Sequence, residues 1–110
     1  MLIVSQNKEV LVNFDVSAGI EIAGGTTKTV ITSYITGCSY LLGEYSTKAK
    51  ALKVLDMIQE AYADEKLIDY TVYLQQKEIE KMDNSTILAL RNELIKKAVF
   101  QMPEDSEAEV

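Results

Sequence analysis

Tyr40-Leu41-Leu42-Gly43-Glu44-Tyr45-Ser46-Thr47-Lys48-Ala49-Lys50-Ala51-Leu52-Lys53-Val54-Leu55 decides the fold of this 110-residue chain, because the hydrophobic period changes inside it. Up to Tyr45 the residues suit a strand. From Thr47 onward the apolar positions Ala51, Leu52, Leu55, Ile58 and Tyr62 keep the three-and-four spacing of one helix face. Lys50, Lys53, Asp56 and Glu60 take much of the opposite side. Ser46 stands where an N-cap is wanted, its hydroxyl able to accept from an unpaired backbone amide. An amphipathic helix over 47–63 is therefore expected.

On the N-terminal side of that switch, apolar and polar residues alternate at period two in short runs broken by turn formers. Strands are expected at Leu2–Ser5, Val10–Phe14, Ile20–Ile22, Thr29–Thr36 and Tyr40–Tyr45. Gly24-Gly25 and Gly37-Cys38-Ser39 would turn the chain, the glycine pair supplying positive φ angles for a tight hairpin. The simplest assembly is a five-stranded antiparallel meander over 1–45 with the helix covering its apolar face, an α+β fold.

Beyond the helix, residues 64–97 have the composition of a helical insert. Val72–Met82 has helical spacing, although Leu67-Ile68-Asp69-Tyr70 suits a short strand as well as a helix. Asp83-Asn84-Ser85 is a break that offers capping oxygens, and Ile87 to Lys97 is a further helix with Lys96 and Lys97 complementing its negative pole. The two helices would form a hairpin. Ala98–Met102 is short, apolar and closed by Pro103, as a C-terminal edge strand would be. The last residues, 104–110, hold Glu104, Asp105, Glu107 and Glu109 and are expected to be a disordered acidic tail. The expected organisation is one α+β domain over 1–103 followed by that tail.

Composition narrows the function. There is no His, one Arg and one Cys, so the usual general base and metal ligand is missing. The carboxylates show no metal-ligand spacing, and Cys38 has no basic neighbour to activate it. No catalytic residue, metal or cofactor is expected, and the protein is not expected to be an enzyme. Hydrophobic residues make up 47% of the chain, enough for a core without disulfides. A lone Cys, a Met1–Val4 run too short for a signal peptide and the lack of a long apolar stretch make the cytoplasm the expected compartment. Net charge is −6, concentrated in residues 56–110, which hold thirteen acids and six bases. That field disfavours nucleic-acid binding and favours a protein partner with a basic surface.

Two groups of residues are candidate sites. Tyr70 and Tyr73, with Glu78 and Glu80, would form a protein-binding surface, since Tyr brings large contact area with few rotatable bonds. The competing role for the tyrosines is as half-buried edges of the core. Ser46, Thr47, Lys48, Lys50 and Lys53 surround the start of the first helix, where amides and dipole attract an anion, either a phosphate or an acidic side chain. The preferred reading is a solvated face capped by Ser46. Gly24-Gly25-Thr26-Thr27-Lys28-Thr29 fails the phosphate-loop spacing, and a strand rather than a helix follows it.

The opening Met1–Lys8, the Val12–Asp15 and Ile20–Ile22 strands, Leu42–Thr47 running into Ala51–Leu55, and the closing Val99–Glu104 form a set. Together they resemble short uncharacterised proteins carried by phages and mobile elements of Gram-positive bacteria. The likeness covers 1–62 and 99–104; residues 64–97 depart from it. It implies a genomic setting, and in that setting, with no catalytic residues expected, the expected role is a non-catalytic phage or prophage accessory protein that inhibits a host defence protein by direct binding. The alternative is a protein that sequesters a signalling nucleotide near Lys48, Lys50 and Lys53. Exposed sheet edges also make a homodimer expected.

Overall fold

The computed structural model describes residues 1–24 and 28–109. It is α+β, with two three-stranded sheets and three helices among the described residues. The strands are β1 (Leu2–Val4), β2 (Leu11–Asn13), β3 (Gly19–Gly24), β4 (Thr29–Ile35), β5 (Cys38–Tyr45) and β6 (Val99–Gln101). The helices are α1 (Lys48–Leu74), α2 (Gln76–Glu80) and α3 (Asn84–Ala98).

The expected five-stranded meander is corrected: the strands divide into β2-β1-β6 and β3-β4-β5. A meander would require β2 to pair with β3. Instead the chain leaves β2 through a 3-10 turn, Phe14–Val16, in which the Asn13 side chain accepts from the Asp15 amide. The free side of β1 is taken by β6, which runs parallel to it in the register Leu2↔Val99, Ile3↔Phe100, Val4↔Gln101. The C-terminal strand therefore exists, with the edge position expected of it. The Met102 amide extends the pairing by donating to the Val4 carbonyl at 3.0 Å.

β3, β4 and β5 form an antiparallel meander, with burial alternating along β4 so that Thr29, Ile31 and Ser33 face inward. The β4–β5 connection is the two-residue turn Thr36-Gly37, both at positive φ, and Cys38 already pairs with Ile35. Gly24 pairs with Thr29 across the other hairpin and lacks the positive φ expected of it; residues 25–27 of that loop lie outside the described residues.

An irregularity in β5 stitches the two sheets together. The β4–β5 register passes from Ile31↔Gly43 to Thr32↔Leu41, leaving Leu42 as an extra residue. Its side chain is buried, and its carbonyl accepts from the Gln6 amide at 2.7 Å. The Gln6 side chain completes the join. Its Oε1 accepts from the Glu44 amide, and its Nε2 donates to the carbonyls of Glu44 and Pro103.

The core lies between the sheets and the first three turns of α1: Ile3, Val12, Ile31, Leu42 and Tyr45 meet Ala51, Val54 and Ile58. Met102 and Ala108 close it from the C-terminal side. The described part of the expected tail, residues 104–109, packs against the body. Asp105–Glu107 form a 3-10 turn, and Glu104 and Glu107 cap each other reciprocally. Small, apolar Ala108 then reaches full burial.

Helix α1 runs well past the expected end at 63. Residues 64–74 contain neither Gly nor Pro, and Asp64-Glu65-Lys66-Leu67 are competent helix formers. The 27-residue helix is about 40 Å long. Leu67–Tyr70 is therefore helix, and the helix expected over 72–82 reduces to the end of α1 plus the short α2. Thr47, not Ser46, is the N-cap, its Oγ1 accepting from the Lys50 amide. Asp83 caps α3 by accepting from the Thr86 amide at 2.7 Å, so the polar break there does start a helix. α3 runs back along α1 to deliver β6. The molecule measures 57 × 31 × 22 Å, a sheeted body with a helical arm. No helix among the described residues is long and apolar enough to cross a membrane.

Candidate functional site

The arm begins where the core ends. Between Ile58 and Met102 no residue is buried. At its root, Phe14 and Tyr62 meet edge to face, with ring centroids 4.7 Å apart. Lys66 lies over the Tyr62 ring and pairs with Asp15 at 3.0 Å. The Met1 amino group is 2.7 Å from Asp15 and 3.1 Å from Glu65. The Met1 amino group and then Lys66 hold the Asp15 carboxyl down to about 2. These contacts tie the arm to the body at its root.

Beyond that level the two long helices share a thin seam. The half-buried apolar residues there are Ile68 and Val72 on α1 and Leu90, Leu94 and Ala98 on α3, where the two helices touch. The remaining apolar residues face outward. Leu67, Tyr70, Tyr73 and Leu74 on α1, with Leu88 and Ile95 on α3, are between 52% and 72% exposed. Of the expected protein-binding residues, Tyr70 and Tyr73 stand in the last two turns of α1, and Glu78 and Glu80 lie exposed on α2. Glu78 faces Lys81 at 3.7 Å, a solvated pair of little energetic weight. Leu88 and Ile95 complete the outward-facing apolar set, and sequence spacing missed them. Both keep the three-and-four rhythm of a core face, and only the position of α1 shows which residues of that rhythm are left uncovered.

At the opposite end of α1 the second set of residues surrounds an anion, and the anion belongs to the chain itself. Asp105 Oδ1 accepts from the Ser46 amide at 2.7 Å. Lys50 Nζ donates to Asp105 Oδ2 at 3.2 Å and to its backbone carbonyl at 3.0 Å. Thr47 is occupied in capping, while Lys48 and Lys53 point to solvent. The Ser46 amide first, and Lys50 after it, hold the Asp105 carboxyl below the usual carboxylate range. An open cleft beside this contact is lined by Gln6, Lys28, Glu44, Tyr45, Glu104 and Asp105. Three carboxylates against one Lys, itself paired with Glu44 at 3.2 Å, make a poor seat for a phosphate.

The Asp105 contact carries a pH dependence whose sign is set by that depressed pKa. The unfolded chain takes up the Asp105 proton before the folded chain does. The stabilisation is complete above the ordinary carboxylate pKa and drains away as pH falls through the lower, folded value. Urea unfolding should therefore separate wild type from Asp105→Asn at neutral pH, and the gap should close as pH falls below about 4. A gap unchanged at low pH would mean that the carboxylate charge is not what docks the segment.

Cys38 is exposed at the start of β5. Among the described residues no cluster of three or more His, Cys, Asp or Glu side chains could hold a metal ion. The chain matches no protein-family model, no curated protein and no solved structure with which it was compared.

Proposed function

We propose that this protein acts without catalysis, by presenting its helical arm to another protein. One observation carries the proposal: residues 59–98 are almost wholly helical and rich in Leu, Ile and Tyr, yet none of them is buried. Solvent-facing apolar side chains in that density mark interaction surfaces more than they mark isolated folds. Tyr73, with the Leu88 and Ile95 line along α3, gives a foreign partner aromatic and aliphatic anchors. The arm's charges are close to balanced, with seven acids and six bases over 64–98, so its recognition is apolar first and electrostatic second.

The resemblance to phage and mobile-element proteins makes a host defence nuclease or sensor the class of partner to test, with inhibition by occlusion. Nucleotide sequestration ranks behind it, because Asp105 already occupies the amide and Lys50 that a phosphate would use.

The test is capture from host lysate by immobilised wild type, by a Leu88→Asp, Ile95→Asp variant, and by Lys28→Glu on the body as control. Neither Leu88 nor Ile95 supports the core, so the arm variant should melt as wild type does and lose the captured protein. Lys28→Glu should keep it. Equal capture by all three would remove the arm from the function.

A further inference from the structure

Asn84, Leu88, Arg91 and Ile95 follow one another on α3 at spacings of four, three and four, so the chain's single Arg stands between two apolar anchors. At about 100° per residue the four share a strip roughly 60° wide. Leu88 and Ile95 are about 10 Å apart along the helix axis, with the Arg91 stem between them. All four residues are exposed. Tyr73 lies roughly 100–120° round α1 from half-buried Ile68 and Val72, and the strip lies about as far round α3 from half-buried Leu90 and Leu94. Antiparallel helices wind in opposite senses seen from one end, so Tyr73 and the strip open on the same side of the arm.

The charge of this side differs from that of the chain. Net charge is −6 overall, yet α3 carries Arg91, Lys96 and Lys97 against Glu93 alone. Lys96 holds Glu93 at 3.2 Å. Arg91 makes no ion pair among the described residues. The chain uses Arg once among its 11 basic residues. Arg suits a desolvated contact better than Lys, because its planar fork takes a carboxylate through two hydrogen bonds and is weakly hydrated. Aliphatic side chains on both sides of it can exclude water, as at binding hot spots.

The strip therefore asks for a carboxylate set among apolar groups. A partner helix lying along α3 supplies that pattern: its side chains seven residues apart repeat at the same distance of about 10 Å, with a position for Asp or Glu three or four residues from each. A nucleic acid is anionic too, but one Arg between aliphatic residues is not the basic stripe that phosphates need, and the acidic body repels it.

We propose that α3 docks an acidic amphipathic helix of a partner protein, whose apolar side chains meet Leu88, Ile95 and Tyr73 and whose Asp or Glu takes the Arg91 guanidinium. This docking rests on the reading of the arm as a binding surface. For this one face it reverses the sign of partner that the net charge favours.

Selection from phage-displayed random peptides of about sixteen residues, a little over four helical turns, tests this on the pure protein. Wild type should enrich peptides with Asp or Glu three or four residues from Leu, Ile or Phe. Arg91→Glu should melt as wild type does and bind those peptides at least about tenfold more weakly. In a fresh selection it should enrich Lys or Arg at the same position. Arg91→Lys should bind the wild-type peptides about threefold more weakly. Leu88→Asp with Ile95→Asp should retain none of them. A wild-type consensus without an acidic residue, or no enrichment at all, overturns the acidic helix while leaving host capture through Leu88 and Ile95 standing. Equal binding of the selected peptides by wild type and Arg91→Glu overturns it as well. Single-stranded DNA bound as tightly as the peptides would make the ligand a nucleic acid, which also overturns it.

Discussion

Tyr45→Ala should lose about 3–5 kcal/mol of stability, while Tyr45→Phe loses only about 1–2 kcal/mol. The ring is 99% buried at the meeting point of both sheets and α1. Gly43 is part of its seat, since a Cβ there would meet the ring at 3.0 Å. Removing the ring leaves a cavity that backbone on two sides cannot close. Removing only the hydroxyl costs the Pro103 carbonyl the nearer of its two donors, at 2.8 Å, and leaves it Gln6 Nε2 at 3.2 Å. Burial and then the nearby Glu104 push the phenol's pKa up, so the hydroxyl keeps its proton and remains a donor across the ordinary pH range. A domain has only about 5–15 kcal/mol to lose, so the Ala variant should be extensively unfolded in mild urea. Equal losses in the two variants would show that the hydrogen bond, not the ring, holds this corner.

A stop codon after Pro103 should lower stability by about 2–4 kcal/mol and the midpoint of thermal unfolding by roughly 10–20 °C. The cut leaves Tyr45's acceptor in place and removes three other things. Buried Ala108 is lost, the Ser46 amide loses its Asp105 acceptor, and Lys50 loses its counter-charge. A solvated acidic terminus could be removed at no cost, or with a gain from relieved charge repulsion. Calorimetry on the shortened chain separates these cases, and an unchanged midpoint would return residues 104–110 to the status of a frayed end.

Local pattern was enough to read much of this molecule, and long-range pairing was where it failed. The change of period at Ser46 does mark the start of a helix, and Pro103 does follow a strand, because both signals lie within a few residues of what they report. Pairing of β1 with β6 joins residues 97 apart, and no period in either strand names the other. The end of α1 is not legible for want of a breaker: the signal near residue 63 is fading apolar periodicity, which marks the end of burial, while the helix continues to Leu74. Ser46, Thr47 and Lys50 mark the start of α1 in the sequence as a place an anion could occupy, with a solvated, capped face as the competing reading. The anion's source, Asp105, was obscured because four acids in seven residues look like a solvated run until a small residue such as Ala108 is seen to anchor them. Tyr70 and Tyr73 stand out in the sequence as aromatics without a core to enter. Which faces of α1 and α3 stay bare depends on how the helices pack, and that is a property of the assembled arm.

The parallel register of β1 with β6 also has a kinetic meaning. Leu2 cannot meet Val99 until the intervening chain has doubled back, and closing so long a loop of unstructured polypeptide is entropically slow. A formed arm shortens that search, because α1 and α3 running antiparallel return the chain beside its point of departure. If the arm forms first, docking of β6 on β1 becomes a local event instead of the closure of a long loop. Substitutions at the Ile68 and Leu94 seam would then act chiefly on the rate at which the body assembles.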